Sequence, residues 1–210
     1  MNEQLSIAID RIIGSYNSFR GERVFTIAIS GIDAAGKGHI SKIISSQLLK
    51  QGIQVALIQA DPWQNPMPVR LHDGNADENF YKNVYRWNDL FTQLIFPLQR
   101  DGKIRLDINA IRTDADLYYP LSYHFHDIDI IILEGILLFK QEYLQSYDLR
   151  IWVDCSFETA TRRAIQRNAE QLSEADLLHD YNTYYYPAQR LHFEKDRPQG
   201  QADLIIDNNQ

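Results

Sequence analysis

The chain has 210 residues, 44% of them hydrophobic, which suits one compact α/β domain with a full core. Lys and Arg number 21 against 28 for Asp and Glu, and the resulting net charge of -7 argues against sequence-independent binding to nucleic acid. Cys155 is the single cysteine, which excludes an intrachain disulfide, and no apolar run approaches the length of a membrane-spanning helix. The N-terminus also lacks a basic segment followed by an apolar core, so we expect a soluble cytoplasmic protein without a membrane partner.

The first segment, residues 1–20, predicts an amphipathic helix. Apolar side chains recur there at helical spacing and form one stripe: Leu5, Ala8, Ile9, Ile12, Ile13 and Tyr16. A mitochondrial presequence would be rich in Arg and poor in acids, whereas this segment contains Glu3 and Asp10. We therefore expect the helix to pack on the domain.

Short apolar runs alternate with helical patterns along the rest of the chain. Strands are predicted at residues 24–30, 53–58, 128–133, 149–153 and 202–206. Helices are predicted from the end of a glycine-rich turn at 31–38 to Gly52, and at 89–100, 157–167 and 173–186. Residues 61–86 read as a loop with a short helical piece, and 102–108 as an edge strand or hairpin. The alternation indicates parallel βαβ units, hence an α/β fold.

The glycine-rich turn fits the P-loop, or Walker A, pattern G-x-x-x-x-G-K. It reads Gly31-Ile32-Asp33-Ala34-Ala35-Gly36-Lys37-Gly38 and is followed by His39. Glycines let several backbone N–H groups converge on phosphate oxygens, and the start of the next helix adds its positive end. Because a buried strand precedes the motif and a helix follows it, we expect these nine residues to bind a nucleotide, with Lys37 reaching the β- and γ-phosphates.

The residue after the lysine departs from the usual P-loop. Gly38 stands where a Ser or Thr hydroxyl would bind Mg²⁺, so the metal must rely on water, phosphates and an acid elsewhere. Glu134 ends the predicted strand 128–133 and would emerge at the carboxyl edge of the sheet beside the P-loop. We expect it to hold Mg²⁺, directly or through water; the alternative is a strand-end glutamate that faces solvent.

A second acid follows the second strand. Asp61 lies in Gln59-Ala60-Asp61-Pro62-Trp63 and would open on the same carboxyl edge as the P-loop. A carboxylate there can orient a substrate hydroxyl and accept its proton as phosphate transfers. The alternative is a turn-forming Asp before Pro.

Several motifs in order resemble the uridine kinase-like branch of P-loop kinases, which includes phosphoribulokinase and bacterial pantothenate kinase. The resemblance covers about residues 24–208 and depends on SGIDAAGKG, QADPW, IIILEGILLF, YDLRIWVDCSFETATRRAIQRN and YYYPAQRLHFEKDRPQGQADLIIDN. It implies a P-loop NTPase three-layer sandwich, in which helices flank a five-stranded parallel sheet with a small lid.

The resemblance also assigns roles. It implies a single kinase domain over 1–210 with a lid at about 163–175, and ATP and Mg²⁺ as cofactors. Asp61 matches the family's catalytic aspartate and Glu134 its magnesium-linked acid. Arg163 and Arg167 match arginines near the lid that contact phosphates, and residues i and i+4 do share a helix face. A solvated basic face is the alternative for these two arginines.

The predicted function is transfer of the γ-phosphate of ATP to a hydroxyl of a small molecule, first of all a nucleoside. However, residues 104–112 lack the tyrosine and histidine with which uridine–cytidine kinases hold their nucleoside, and Asp89 is only a loose match for the family's ribose-binding aspartate. A sugar-phosphate or vitamin-precursor acceptor is therefore an alternative, as is a nucleotide-binding module without transferase activity. The sequence contains no Asn-Lys-x-Asp motif, which a GTPase would use to recognise guanine. The identity of the acceptor and the possibility of a homo-oligomer stay open.

Overall fold

The computed structural model describes residues 3–71, 75–112, 115–168 and 172–209. Its strands are β1 (Phe25–Gly31), β2 (Val55–Gln59), β3 (Ile104–Arg112), β4 (Leu117–Phe125), β5 (Ile130–Glu134), β6 (Leu149–Asp154) and β7 (Leu204–Asp207). Its helices are α1 (Glu3–Ser18), α2 (Lys37–Lys50), α3 (Met67–Arg70), α4 (Ala76–Asn83), α5 (Trp87–Asp89), α6 (Phe96–Asp101), α7 (Phe157–Arg167), α8 (Glu174–Asp180), α9 (Tyr186–Asp196) and α10 (Pro198–Gln201).

The central sheet has five parallel strands in the order β2-β5-β1-β6-β7. Every residue of β1 and β5 is buried, which requires helices on both faces of the sheet. This confirms the predicted α/β class with a five-stranded parallel sheet flanked by helices. The parallel register puts the ends of β1, β2 and β5 at one edge, where Glu134 pairs with Ile29 on one side and Gln59 on the other.

The hairpin of β3 and β4 forms a separate two-stranded antiparallel sheet. The sequence indicated an edge strand or hairpin at 102–108, but β3 extends to Arg112 and β4 was not predicted. Pro120 interrupts the strand pattern of β4, and it lies opposite Asn109 in a ribbon that has no third strand in the described part of the chain. A proline is tolerated there because the missing N–H need not bond to a neighbouring strand.

Two helical segments continue past a proline. The helix predicted at 89–100 contains a π-helical segment at Leu90–Ile95, directly before Pro97 in the first turn of α6. The helix predicted at 173–186 contains another at Tyr181–Tyr185, directly before Pro187 in the first turn of α9, and runs on to Asp196. A proline lacks the N–H of a regular turn and clashes with the preceding carbonyl, and a widened turn accommodates both defects.

The N-terminal helix α1 buries four residues of the predicted stripe, Leu5, Ala8, Ile9 and Ile12. It packs on α2 and on β7, and α2 packs in turn on β1, β2 and β5. Through these contacts α1 joins the main core. Among the described helices, none combines the length and apolar content that crossing a membrane requires.

Candidate active site

The P-loop backbone connects β1 to α2 through two left-handed residues, Ala34 with φ 55° and Gly36 with φ 93°. A Cβ at Gly36 would lie 2.4 Å from Nδ2 of Asn208, which donates a hydrogen bond of 2.7 Å to the carbonyl of Ala35. A Cβ at Gly31 would lie 2.5 Å from the carbonyl oxygen of Val153. Both motif glycines are therefore required by neighbouring groups, and Gly36 is required by its left-handed backbone as well.

Lys37, the first residue of α2, is buried, and its Nζ donates a hydrogen bond of 2.9 Å to the carbonyl of Ile32. The neighbouring N–H of Asp33 donates to Oε1 of Gln189, at 2.7 Å. The carboxylate of Asp33 accepts a hydrogen bond from the Tyr181 hydroxyl and lies 3.6 Å from the Arg167 guanidinium. The P-loop is thus held in shape by side chains from the C-terminal part of the chain.

A cleft of about 440 Å³ opens beside the P-loop at the carboxyl edge of the sheet. The predicted site residues that line it are Asp33, Ala34, Gly36, Lys37, Gly38, His39, Asp61, Glu134, Arg163 and Arg167. The remaining three, Gly31, Ile32 and Ala35, are buried residues of the P-loop itself. The structure therefore brings the motif, both acids and both arginines to one place.

Asp61 begins a short 3₁₀ turn, Asp61–Trp63, immediately after β2 and Ala60. Its Oδ1 accepts hydrogen bonds from the Tyr85 hydroxyl, at 3.0 Å, and from Nε2 of Gln64, at 3.3 Å. Tyr85 is buried, and burial together with the charges of Asp61 and Glu134 raises its pKa well above the ordinary tyrosine value. The phenol consequently remains a hydrogen-bond donor and orients the carboxylate.

Glu134 ends β5 in the middle of this edge and is buried. Burial raises the pKa of its carboxyl, the charge of Lys37 acts in the opposite direction, and the charge of Asp61 adds to the increase. A cation placed between the two carboxylates would favour their ionised forms, because an opposite charge stabilises each of them.

Gly38 leaves open the space that a hydroxyl would occupy in the usual motif. A Cβ there would be 3.7 Å from Oε2 of Glu134 and 3.9 Å from Nε2 of Gln59, which are ordinary contact distances. A buried carboxylate next to an amide and the phosphate-binding turn suits Mg²⁺, which takes one or two carboxylates together with phosphates and water. Within the described ranges, no group of three or more potential metal-ligating side chains occurs, so phosphate oxygens and water would have to complete the coordination.

Arg163 and Arg167 lie on α7, whose first turn is capped by Ser156 accepting from the N–H of Thr159 at 3.1 Å. Nη1 of Arg163 is 3.5 Å from the carbonyl oxygen of Ala35, while Arg167 contacts Asp33. Both arginines therefore reach the P-loop from the same helix. Of the lid predicted at about 163–175, residues 169–171 lie outside the described residues, and the lid itself stays a prediction.

Comparison with known proteins supports the motif-based resemblance. A curated uridine kinase from Limosilactobacillus reuteri is 26% identical over 154 residues, which span 71% of this chain and 67% of that protein. The structure of a possible uridine kinase from Bacillus stearothermophilus matches with a TM-score of 0.73 and 20% identity, covering 97% of this chain and 99% of the other. A candidate fructose transport system kinase from a Silicibacter species matches with a TM-score of 0.77 and 15% identity over 98% and 100% of the two chains.

These matches confirm the resemblance to the uridine kinase-like P-loop kinases. No protein-family profile matches the chain, and the identities are low, so the resemblance to these kinases is a distant one. The two structural likenesses show the fold alone.

The uridine kinase-like motifs did not reveal every residue around the cleft. Tyr85 and Gln64 hold Asp61, Gln189 holds the P-loop, and Arg70 lines the cleft beyond Gln64. For Gln189 the sequence offered one signal, because it lies in a tail that resembles the family. Arg70 carried none, since it lies in residues 61–86, which read as a loop with a short helical piece.

The hairpin does not supply a substitute for the missing nucleoside-binding residues. None of the described residues of β3 or β4 lines the cleft. Asp89, the loose match for a ribose-binding acid, lies 3.8 Å from Arg86 and does not line the cleft either. The cleft is lined instead by Gln64, Arg70, Phe80 and Tyr185, in addition to the predicted site residues.

Proposed function

We propose that this protein is an ATP-dependent kinase that transfers the γ-phosphate to a hydroxyl group of a small metabolite. One observation carries the proposal: Lys37, Asp61 and Glu134 come from three different segments and line the same cleft at the carboxyl edge of the sheet. The uridine kinase and the kinases of similar fold support the same reaction class.

The P-loop would bind the triphosphate. Gly36, Lys37 and Gly38, at the start of α2, line the cleft, and anions bind favourably at such a helix start. Lys37 would exchange its bond with the Ile32 carbonyl for phosphate oxygens. Glu134 would hold Mg²⁺, which when bound neutralises charge on the phosphates. Arg163 and Arg167 would approach those phosphates from α7.

Asp61 would act on the acceptor. As the acceptor oxygen forms a bond to the γ-phosphorus, the bond from that phosphorus to the bridging oxygen breaks and ADP leaves. The hydroxyl proton passes to the Asp61 carboxylate, which Tyr85 and Gln64 keep in a fixed orientation. Lys37 compensates the charge that develops on the transferring group.

A nucleotide-binding module without transferase activity is the rival function. Such a module would use the P-loop but would have no need of an oriented carboxylate across the cleft. The hydrogen bonds from Tyr85 and Gln64 to Asp61 therefore favour the kinase.

The test is ADP formation against a panel of nucleosides, pentose phosphates and vitamin precursors, followed by Asp61→Asn with the best acceptor. The substitution keeps the shape and removes the proton-accepting charge, so kcat should fall by about 10²–10⁴-fold while the affinity for ATP persists. Lys37→Ala should instead lose ATP affinity roughly tenfold to a hundredfold.

Asp89→Asn is the matched control, since this acid does not line the cleft. It should leave kcat within a few-fold of wild type. If Asp61→Asn retained wild-type kcat, Asp61 would not be the proton acceptor and another acid would have to take that role. If no acceptor in the panel produced ADP above the background, the kinase proposal would be refuted in favour of the binding module.

A further inference from the structure

Asp33, in the first half of the P-loop, is attached to a second, smaller core. That core is formed by four buried residues of α7, α8 and the helical segments that follow: Ala164, Leu177, Tyr181 and Tyr186. Ala34 of the P-loop packs against it. The Tyr181 hydroxyl donates a hydrogen bond to Oδ2 of Asp33, and Tyr181 is only 1% exposed. The carboxylate is therefore held by a phenol that packing keeps in place.

The same carboxylate oxygen forms an ion pair with Arg167, the last residue of α7. Nη2 of Arg167 lies 3.6 Å from Oδ2 of Asp33, and the two side chains are 49% and 27% exposed. Both residues line the cleft in which the triphosphate would bind. An ion pair with this exposure stabilises a protein only weakly, so an anion with more charge can replace the carboxylate as the partner of the guanidinium.

The charge of Asp33 opposes that of the phosphates. Lys37 and the start of α2 attract an anion to the P-loop, whereas a carboxylate in the same turn repels it. The effect of this carboxylate extends to the opposite acid of the cleft, because burial raises the pKa of Glu134 and the charge of Asp33 adds to the increase. In the nucleotide-free protein, Asp33 therefore both repels an incoming triphosphate and pairs with Arg167.

We propose that Asp33 competes with the triphosphate for Arg167, so that the ion pair is an autoinhibitory contact. When ATP binds, its phosphates replace the carboxylate as the partner of the guanidinium, while Tyr181 keeps Asp33 at its position. The inference rests on the part of the proposed function that assigns ATP to the P-loop, and it does not require phosphate transfer. Its consequence is that Asp33 weakens the affinity of the resting protein for ATP.

The first experiment measures the Kd for ATP by calorimetry in the absence of any acceptor. Asp33→Asn keeps the shape of the side chain and an oxygen for the Tyr181 hydroxyl, but it removes the charge. The Kd should fall about two- to fivefold, the range expected for an ion pair of this exposure. Asp154→Asn is the matched control, because Asp154 ends β6 at the same edge of the sheet and does not line the cleft. This control removes the same charge and should leave the Kd unchanged.

The second experiment is a double-mutant cycle, because repulsion between Asp33 and the phosphates would by itself tighten binding in Asp33→Asn. If the ion pair must open before Arg167 can bind phosphate, Arg167→Ala should raise the Kd by a factor about two- to fivefold larger in Asp33→Asn than in the wild type. Arg163→Ala is the comparison, since Arg163 lies one turn earlier on α7 and contacts the carbonyl of Ala35. It should raise the Kd by the same factor in both backgrounds.

Three results would overturn the competition. The first is an unchanged or higher Kd in Asp33→Asn, and the second is an equal effect of Arg167→Ala in both backgrounds, which would mean that the ion pair persists with ATP bound. The third is a gain in Tyr181→Phe as large as in Asp33→Asn, since that variant keeps the charge and loosens only the attachment to the second core. Asp33→Ser repeats both measurements if Asp33→Asn does not fold.

The same measurements distinguish this inference from the proposed function. Binding of ATP with the expected cycle but without transfer to any acceptor would refute the kinase and support the competition. Absence of ATP binding in the wild-type protein would refute both.

Discussion

Two glycines of the P-loop, two residues apart, should respond to alanine with opposite signs. Gly36 has a left-handed backbone, and its Cβ would lie 2.4 Å from Nδ2 of Asn208. An alanine there costs about 1–2 kcal/mol for the left-handed conformation. Displacing Asn208 from its 2.7 Å bond to the Ala35 carbonyl costs about 0.5–1.5 kcal/mol more.

Gly38 belongs to α2, has no positive φ, and would place its Cβ in ordinary contact at 3.7 Å and 3.9 Å. Alanine is the better helix former by up to about 1 kcal/mol. With about 2–4 °C per kcal/mol for a chain of this size, Gly36→Ala should lower Tm by several degrees. Gly38→Ala should leave Tm unchanged or raise it slightly.

Thermal unfolding without nucleotide measures both shifts, and calorimetry with ATP measures the consequence for binding. Gly36→Ala should lose ATP affinity because it deforms the turn that presents the amides, whereas Gly38→Ala should keep it. Shifts of Tm with the same sign and size in both variants would contradict the reasoning, since they would mean that backbone conformation and the contact with Asn208 do not distinguish the two positions.

Two further predictions concern the charged groups of the cleft. Burial raises the pKa of Glu134, so the folded protein favours the protonated carboxyl and loses stability as pH rises through the folded-state pKa. Glu134→Gln should therefore raise Tm at neutral pH without nucleotide, and this increase should become smaller at acidic pH. The same substitution should lower kcat. A Tm that fell at neutral pH would show that the carboxylate stabilises the fold. Arg163→Ala should lower kcat by a larger factor than it raises the Kd for ATP, because the guanidinium would contact the phosphates mainly during turnover. Equal factors of loss in the single-turnover rate and in ATP affinity would indicate ordinary ground-state binding.

The strands of the central sheet could be predicted because each is recognisable from its own residues. The runs that became β1, β5 and β6 are short, apolar and bounded by turn residues, as strands buried in a parallel sheet must be. The hairpin was only half predicted, since β4 pairs with β3 alone and mixes polar, aromatic and proline residues. Its conformation depends on its partner strand more than on its own composition.

The same distinction explains which parts of the site could be predicted. Glu134 ends β5, Asp61 follows β2 after Ala60, and Lys37 begins the helix after the turn that follows β1. Parallel topology brings such positions to one edge whatever the intervening sequence. Arg70 and Tyr85 are placed by the segment between β2 and β3, where no period in the sequence fixes the path of the chain. The hydrogen bonds from Tyr85 and Gln64 to Asp61 become visible only when this segment is folded. In the proposed kinase, the reaction would therefore depend on residues that the parallel sheet brings together, whereas the orientation of Asp61 depends on two residues of an irregular segment, Gln64 and Tyr85.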